Sequence, residues 1–380
     1  PAERPRVRAS RAPWRPVESG SMRIPVLLAL AAAALFGAAT PIGKLLLGSM
    51  DPFTLAGLFY LGAALVLAPR ALRRGPDGTG LAGKLRAAGR RNRALVAGSV
   101  LAGGFAGPVL LLFGLRAAAS MSVSLWLNLE MVATAALGHF LFRDRMTRRS
   151  ALAAAGVLAA SILLSLGGGQ SGPLGGLLVA AACLAWGFDN HFTALVDGLE
   201  PEESTFLKGA VAGSVNLAIG LATTGGAGLR GTTVGAALAV GALSYGASIV
   251  LYISAAQGLG ASRAQLWFSS SPAFGLLIAA LALGERFDAA RIAAMAIMAV
   301  SYAALFSERH AHAHDHEAVS HTHWHRHGEG HHEHSHQALP AFERLFGHAH
   351  AHDHEAGRHS HEHVSDIHHR HGHAGGAVEP

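Results

Sequence analysis

Residues 174–196 read LGGLLVAAACLAWGFDNHFTALV, an almost unbroken apolar run that carries Asp189, Asn190 and His191 near its end. An α-helix rises about 1.5 Å per residue, so roughly 20 residues cross the ~30 Å hydrocarbon layer of a bilayer. Lipid offers no hydrogen-bond partners, and a segment rich in Ala and Leu satisfies its own backbone only as a helix. The stretch therefore predicts a membrane-spanning helix with polar side chains inside it.

Nine further runs share this apolar character, which predicts an all-α integral membrane protein with ten transmembrane helices. Only 14% of the residues are charged, against about 25% in soluble domains, which argues against an ordinary water-soluble enzyme. A soluble helical bundle would show polar faces at a period of about 3.6 residues, and these runs mostly do not. The ten runs are 24–47, 53–69, 94–115, 118–142, 151–166, 174–196, 204–224, 232–256, 264–284 and 289–306.

The positive charges predict the orientation of the chain. The net charge is +6, but Arg and Lys lie in the N-terminal segment and in the gaps between apolar runs rather than on one basic face, so no nucleic-acid partner is expected. With an inside N-terminus, the inner segments carry 19 Lys and Arg residues and the outer gaps carry five. This excess predicts that both termini are cytoplasmic. Arg outnumbers Lys 27 to 3, which is typical of a GC-rich bacterial genome, so the expected location is a bacterial inner membrane.

The chain divides into four parts. Residues 1–23 form an Arg-rich cytoplasmic segment, with Met22 as an alternative start. Two five-helix repeats follow at 24–166 and 174–306, and residues 307–380 form a cytoplasmic tail. Because five is odd, the second repeat enters the membrane in the opposite sense, and inverted repeats place a substrate site near the bilayer midplane.

Matched residues support the repeat. They occur in the same order in the two halves, at nearly constant separation along the chain. The matched pairs are Leu125-Trp126 with Leu266-Trp267, Asp144-Arg145 with Glu285-Arg286, Phe36-Gly37 with Trp186-Gly187, and Asp51-Pro52 with Glu200-Pro201.

The aromatic–Gly pair, the acidic–Pro turn and the spacing from Pro272 to Glu285 resemble the EamA-like family of the drug/metabolite transporter superfamily. The resemblance covers roughly 24–306. It implies ten helices, both termini in the cytoplasm and secondary transport, usually export of small solutes. The chain departs from the family pattern at Met131, where the pattern has proline, and at Asp144, where it has glutamate.

Ionisable groups at membrane depth are functional hypotheses by default. We expect a substrate cavity lined by Glu130, Trp186, Asp189, Asn190, His191 and Lys208. In one interpretation Glu130 and Asp189 exchange protons while Asn190 and His191 contact the solute. In the other, Glu130 pairs with Lys208 or with a hydroxyl group as a structural clamp, and His191 is a satisfied core residue. Glu285 and Asp144 are expected to have helix-end roles.

No GxxxxGK[ST] phosphate loop and no Ser/His/Asp arrangement stand out, so the sequence does not predict an enzyme. The energy source is then expected to be a gradient, most simply of protons. No cofactor is required by this mechanism, and the sequence leaves the oligomeric state open.

The tail is a different physical object, because it holds 23 of the 25 histidines. HAHAHDHEA occurs at 310–318 and again at 348–356. Residues i and i+2 of an extended chain lie on one face, so the alternation predicts a disordered, strand-like comb that folds locally around an ion. Imidazole ligands predict binding of Zn, Ni, Co or Cu. The candidate ligands are His310, His312, His314, His316, His321, His323, His325, His327, His348, His350, His352 and His354.

Three functions remain open from the sequence. The first, and the favoured one, is a secondary exporter of a divalent transition metal ion (Ni, Co or Zn), with the tail as its cytoplasmic collector. The second is an amino-acid or metabolite exporter whose tail only buffers or senses metal. The third is a membrane metal-storage or regulatory protein that transports nothing.

Overall fold

The computed structural model describes a helical body and parts of the tail. The described residues are 23–74, 78–141, 148–166, 172–196, 198–259, 264, 267–306, 310–316, 319–325, 348–354 and 357–363. Residues 1–22 of the Arg-rich segment lie outside them, as does Asp144.

Twelve helices of the body have described bounds. They are α1 Arg23–Leu46, α2 Pro52–Ala71, α3 Leu81–Ala87, α4 Arg90–Ala117, α5 Ser120–Trp126, α6 Leu129–Phe140, α7 Arg148–Leu166, α8 Pro173–Ala194, α9 Pro201–Thr224, α10 231–259, α11 Ser271–Leu283 and α12 Ala289–Phe306. Two of them, α5 and α6, form one membrane-length stretch.

Six helical stretches in the described part of the chain are long and apolar enough to cross a bilayer: α1 from Ile24, α2, α4, α5 with α6, α9, and α10 to Ala255. Helices α7, α11 and α12 contain shorter apolar segments. Helix α8 has 22 residues but is not one of the six, and its C-terminal part carries the polar group around Asp189. A multi-pass membrane protein is confirmed, while the count of ten spans stays a prediction.

The two halves interlock through their first helices. Helix α1 packs on α10 and α11, and α8 packs on α4 and α6. The glycine of each aromatic–Gly pair lies at this contact: a Cβ at Gly37 would lie 2.2 Å from the Ser271 carbonyl oxygen, and one at Gly187 would lie 3.2 Å from the backbone of Ala133 and Thr134. Helices α2 and α9 pair with each other, as do α7 and α12.

The acidic–Pro turns begin the second helix of each half. The Asp51 carboxylate accepts from the N–H groups of Phe53 and Thr54 at 2.9 and 3.1 Å. Glu200 and Glu203 form the corresponding capping box at the start of α9. Proline at the first helical position adds a preset backbone angle, so these turns are local start signals for α2 and α9.

Charged residues from both halves also hold the turn between α4 and α5. Lys44 Nζ donates to the carbonyls of Leu115 and Ala118 at 2.6 and 2.8 Å. The Glu285 carboxylate accepts from the N–H groups of Ser120 and Met121 at 2.7 and 2.8 Å. Glu285 thus caps the start of α5 from the opposite half, which differs from the role at the end of its own helix that the sequence predicted.

Three of the described long helices contain a π-helical segment. The segments are Val100–Ala106 in α4, Lys208–Ala212 in α9 and Gly241–Ala247 in α10. A π segment lengthens the helical hydrogen-bond loop and is frequent at functional sites. The alignment that matches Trp126 with Trp267 also carries the α4 segment onto the α10 segment, so this irregularity is itself repeated.

The described parts of the tail are extended. They form β1 His310–His316, β2 Val319–His325, β3 His348–His354 and β4 Gly357–His363. Strand β1 pairs antiparallel with β4, and β2 pairs antiparallel with β3. The strand-like backbone predicted from the alternation is present at these residues, whereas disorder of the tail is not confirmed.

Candidate functional site

Helix α8 brings its polar residues against the π segment of α4. A Cβ at Gly103 would lie 2.0 Å from Asp189 Oδ2, and a Cβ at Gly107 would lie 2.5 Å from Trp186 Nε1. The two glycines are four positions apart and share one helix face. Their absent side chains therefore make the room that Asp189 and Trp186 occupy.

The centre of the site is an ion pair between α8 and α9. Lys208 Nζ lies 2.8 Å from both carboxylate oxygens of Asp189. Ser99 donates to Asp189 Oδ1 at 2.6 Å, and Thr193 donates to the same oxygen at 3.0 Å. Only 14% of the Lys208 side chain and 10% of the Asp189 side chain are exposed. The pair is thus desolvated, and two hydroxyl groups complete the hydrogen bonding of the carboxylate.

Two neighbouring carbonyls of the π segment accept hydrogen bonds from side chains. The Gly103 carbonyl accepts from Tyr60 Oη at 2.6 Å and from Trp186 Nε1 at 3.2 Å. The Gly104 carbonyl accepts from Asn216 Nδ2 at 3.2 Å. Asn216 is fully buried, and its Oδ1 has no hydrogen-bond partner among the described residues. The π segment thereby supplies backbone acceptors at the site.

A second polar group lies between α8 and α6. Asn190 Nδ2 donates to Glu130 Oε1 at 3.0 Å and to Thr134 Oγ1 at 3.1 Å. His191 Nε2 lies 3.0 Å from the Thr134 carbonyl oxygen, to which an Nε2–H group donates. Glu130 is therefore held by an uncharged amide, in contrast to Asp189.

The six predicted cavity residues all lie around α8, but they form two groups. Asp189, Trp186 and Lys208 face α4 and α9, whereas Asn190, His191 and Glu130 lie at the contact with α6. The Lys208 part of the structural alternative is wrong, because the Lys208 ammonium binds the Asp189 carboxylate, while Glu130 accepts from the Asn190 amide. The assignment of these residues to substrate binding stays a prediction.

Sequence reasoning missed several polar contributors to the site. Thr193 lies four positions after Asp189 on the same helix face, and that spacing was a usable signal. Ser99 and Thr134 are hydroxyl residues of the kind common in apolar helices, and nothing in the sequence distinguished them. The Gly103 and Gly104 carbonyls depend on the π segment.

An aromatic cluster adjoins the polar site through Tyr60. The Tyr60 ring lies 5.8 Å from that of Tyr245, which lies in the π segment of α10. Tyr245 also lies 5.8 Å from the rings of Phe36 and Phe59. Phe36 continues the cluster to Phe268 at 5.4 Å. Polar and aromatic surfaces thus meet at one tyrosine.

Metal ligation was predicted for the histidines of the tail. Within the residues that the structure describes, no three His, Cys, Asp or Glu side chains gather into a group that could hold an ion. The predicted tail ligands lie on β1, β2 and β3, where the backbone is described, except that His327 lies outside the described residues. Binding of a metal by the tail stays a prediction.

The EamA-like transporter family model matches the chain twice, over residues 23–166 and 173–307. The chain belongs to the EamA-like transporter family. An uncharacterized transporter of Methanothermobacter thermautotrophicus is similar to this EamA-like protein, with 27% identity over 275 residues, 68% of this chain and 79% of the relative. A solved crystal structure has a similar fold at a TM-score of 0.52 and 17% identity, covering 74% of this chain and 96% of the other. The predicted family is confirmed, and the chain is a membrane transporter.

Proposed function

We propose that this EamA-like protein is a gradient-driven exporter of a small polar solute that carries charges of both signs, as amino acids do. The observation that carries the proposal is the Asp189–Lys208 ion pair, with Nζ 2.8 Å from both carboxylate oxygens inside a helix bundle. Desolvating two charges costs several kcal/mol per ion, and intramembrane charges commonly mark solute or ion pathways.

An ion pair of this kind can exchange partners with a zwitterion. A solute ammonium group would take the Asp189 carboxylate, while its carboxylate would take the Lys208 ammonium. Ser99 and Thr193 already bond to this pair and would hold whichever charge is displaced. A solute with one charge would leave the opposite protein charge unpaired, which is the costly outcome.

Glu130 is our candidate for the proton-coupling group. Its described hydrogen-bond partner is the Asn190 amide, so no cation has to be displaced when it takes up a proton. Protonation of Asp189 would instead leave Lys208 without its counter-charge. The two carboxylates therefore have different roles in this proposal, whereas the sequence predicted proton exchange for both.

Direction and location follow from the charge distribution. The excess of 19 inner over five outer Lys and Arg residues favours cytoplasmic termini. A cytoplasmic tail and the family resemblance both favour export across a bacterial inner membrane. No nucleotide-binding loop was found in the sequence, so the transporter is proposed to have no enzymatic activity.

Export of a divalent transition metal is the second candidate, and the His-rich tail is the observation that favours it. We rank it lower for the body, because Lys208 already neutralises the Asp189 carboxylate. In addition, the described part of the body contains no group of three side chains suited to hold an ion. A third possibility, metal storage without transport, would leave the polar site of the body without a role.

The deciding experiment is counterflow transport in proteoliposomes, with labelled amino acids and other small polar metabolites tested against labelled Zn²⁺, Ni²⁺ and Co²⁺. We expect uptake of a zwitterionic solute, lost by about 100-fold or more in Asp189→Asn, because the ion pair is the binding site. Asp288→Asn is the matched control, since it removes an exposed carboxylate that pairs with Arg291.

A double variant separates binding from folding. Breaking a buried pair at one partner costs about 3–5 kcal/mol, whereas replacing both partners by hydrophobic residues of similar volume is often neutral or stabilising. Asp189→Leu with Lys208→Met is therefore expected to recover thermal stability but not transport. Zwitterion transport by this double variant would refute the proposed site. Metal transport by the wild-type body after removal of residues 308–380, without zwitterion transport, would favour the second candidate.

A further inference from the structure

A cavity lies at the end of the bundle where α3, the start of α4 and the loop between α8 and α9 meet. Its volume is about 220 Å³. Pockets for drug-sized ligands have roughly 300–1,000 Å³, so this cavity suits a smaller solute. Lys84 and Leu85 line it from α3, Asn92 and Val96 from α4, and Leu199 from the loop. The wall is thus largely apolar, with an ammonium group and an amide as its polar side chains.

One face of α4 connects this cavity with the charged site. Asn92, Val96 and Ser99 are spaced by four and three residues, so they lie on the same face of the helix. The first two line the cavity. Ser99 donates to Asp189 Oδ1 at 2.6 Å. The cavity therefore ends about one helical turn before the residues that hold the ion pair.

An ion pair ties the α3 side of the cavity to α9. Lys84 Nζ lies 2.8 and 2.9 Å from the two carboxylate oxygens of Glu203. Glu203 Oε2 also accepts from the Glu200 N–H group at 2.9 Å. The Glu203 side chain is 6% exposed, whereas that of Lys84 is 25% exposed. If the pair opens, the carboxylate keeps a hydrogen bond and the ammonium group reaches water, so Lys84 is the partner that can leave.

Helix α3 is weakly anchored apart from this pair. It has seven residues, Leu81–Ala87, and isolated helices of this length are unstable in water. Its N-cap Gly80 makes no side-chain cap hydrogen bond, and its buried residue is Leu81. In contrast, α2 and α9 are in close backbone contact, because a Cβ at Gly209 would lie 2.6 Å from the Tyr60 carbonyl oxygen. Helix α3 is therefore the element that can move while α9 stays in place.

We propose that the cavity is the entrance through which a zwitterionic solute reaches the Asp189–Lys208 pair, and that α3 is a lid held closed by Lys84 and Glu203. The carboxylate of an incoming solute competes with Glu203 for the Lys84 ammonium, so solute binding and lid opening are coupled. The inference rests on the proposed function, because it gives the route of the same solute. In the proposed orientation the entrance faces the cytoplasm, as export requires.

The first test measures opening of the lid without any transported solute. A charged thiol reagent labels Val96→Cys in a Cys183→Ala background of the full chain in detergent. We expect Lys84→Gln to speed this labelling by about threefold or more, because loss of the ion pair raises the population of the open lid. Lys84→Arg keeps the pair and should keep the slow rate. Ala94→Cys, exposed on the same helix, is the matched control and should label equally with and without Lys84→Gln.

The second test closes the cavity covalently. Leu85→Cys and Leu199→Cys place thiols on its α3 and loop sides, and a reducible bifunctional thiosulfonate joins them before reconstitution. We expect zwitterion counterflow in proteoliposomes to fall by about tenfold or more and to recover on reduction, because a fixed lid blocks the route. Each single-cysteine variant, treated in the same way, is the control. Continued counterflow through the linked protein would overturn the entrance.

The two tests separate this inference from the proposed function. An unchanged labelling rate of Val96→Cys in Lys84→Gln would overturn the lid, even in a protein that transports a zwitterion. Faster labelling in a protein that transports no zwitterion would support the lid and refute the proposed solute.

Discussion

Two helices of this transporter contain a π segment at the same position of their repeats, and opposite chemistry surrounds the two segments. The repeat alignment relates Val100–Ala106 of α4 to Gly241–Ala247 of α10. Each segment packs against the first helix of the other half, α8 in one case and α1 in the other. The π-helical backbone is thus present in both repeats, whereas the side chains around it differ between them.

Around the α4 segment the side chains are mostly polar, and around the α10 segment the residues at matching positions are apolar. The pairs that match across the two repeats in sequence establish this correspondence, helix by helix. The matched positions are Ser99 with Val240, Asp189 with Ala39, Lys208 with Phe59, and Trp186 with Phe36.

An inverted repeat can therefore carry a charged site in only one of its two halves. A desolvated ion pair costs several kcal/mol per ion, and the bundle places it at only one of the two related positions. The other position contains the rings of Phe36, Phe59 and Tyr245. Tyr60 contacts both regions, so we expect a solute to place its charged end at α4 and its apolar part against α10.

The largest effect is expected from Gly103→Ala, because the new Cβ would lie 2.0 Å from Asp189 Oδ2. The Asp189 carboxylate must then move, and its ion pair with Lys208 must open, because helix backbone surrounds the carboxylate. We expect loss of transport by about 100-fold and of about 3 kcal/mol in stability, within the range for overpacking and for a broken buried pair. Counterflow in proteoliposomes and thermal denaturation in detergent measure the two effects.

The matching position in the other half supplies the control for this change. Ser244 corresponds to Gly103 in the repeat alignment and already carries a side chain in the buried α10 segment. Ser244→Ala is expected to leave transport within about twofold, because small buried changes away from charged groups cost little. Equal damage from the two substitutions would mean that the two π segments do not differ in function.

The second effect concerns proton coupling at Glu130. Glu130→Gln keeps an oxygen that can accept from Asn190 but cannot take up a proton. We expect proton-driven transport to fall by about 100-fold, the lower end of the contribution of a positioned proton-transfer group, while solute exchange at equal pH continues. Ser271 corresponds to Glu130 in the second half, and Ser271→Ala should alter neither activity. Loss of both activities in Glu130→Gln would assign this residue to solute binding instead.

The sequence predicted the family and identified the ionisable residues of the apolar helices, but it did not predict which of these residues pair. Asp189 and Lys208 lie on different helices, and their contact depends on how α8 and α9 are rotated. The π segment that begins at Lys208 changes that rotation, and a π segment has no sequence signature comparable to a capping residue. Glu130 was therefore an equally reasonable partner for Lys208 until the helices were placed.

Features that depend on local sequence were predictable. Asp51 and Glu200 start α2 and α9 because an acidic residue before proline is a local start signal. The glycines of the two aromatic–Gly pairs allow close helix contact, which needs only a missing Cβ. The use of Gly103 to accommodate a carboxylate was not predictable, since the same spacing with Gly107 equally fits plain helix packing.

A smaller effect is expected from Tyr60→Phe, which removes one hydrogen bond to the Gly103 carbonyl. Trp186 still donates to that carbonyl, so we expect a loss of about 1 kcal/mol in stability and a few-fold loss of transport. Tyr245→Phe keeps the ring contacts with Phe36 and Phe59 and should change transport less. A larger effect in Tyr245→Phe would locate the polar contact of the solute in the second half.

The smallest effect is expected at the pair of Asp288 and Arg291, one helical turn apart, in which 55% of the Asp288 side chain but only 11% of the Arg291 side chain is exposed. Arg291 Nη1 also donates to the Arg286 carbonyl at 2.7 Å, so the arginine does not depend on the carboxylate alone. Asp288 Oδ1 also accepts from the Arg291 N–H at 2.8 Å, and Asn caps a helix start about as well as Asp. Asp288→Asn should therefore cost no more than about 0.5 kcal/mol, and about 0.5 M NaCl should remove most of that difference by screening. Thermal denaturation at low and high salt measures this difference in stability. The loss caused by Asp189→Asn should persist at high salt, because Lys208, the partner of Asp189, is shielded from solvent. If salt reduced both losses equally, the Asp189–Lys208 pair would have to be accessible to water and ions, and the contrast between a desolvated charge site and an aromatic counterpart would fail.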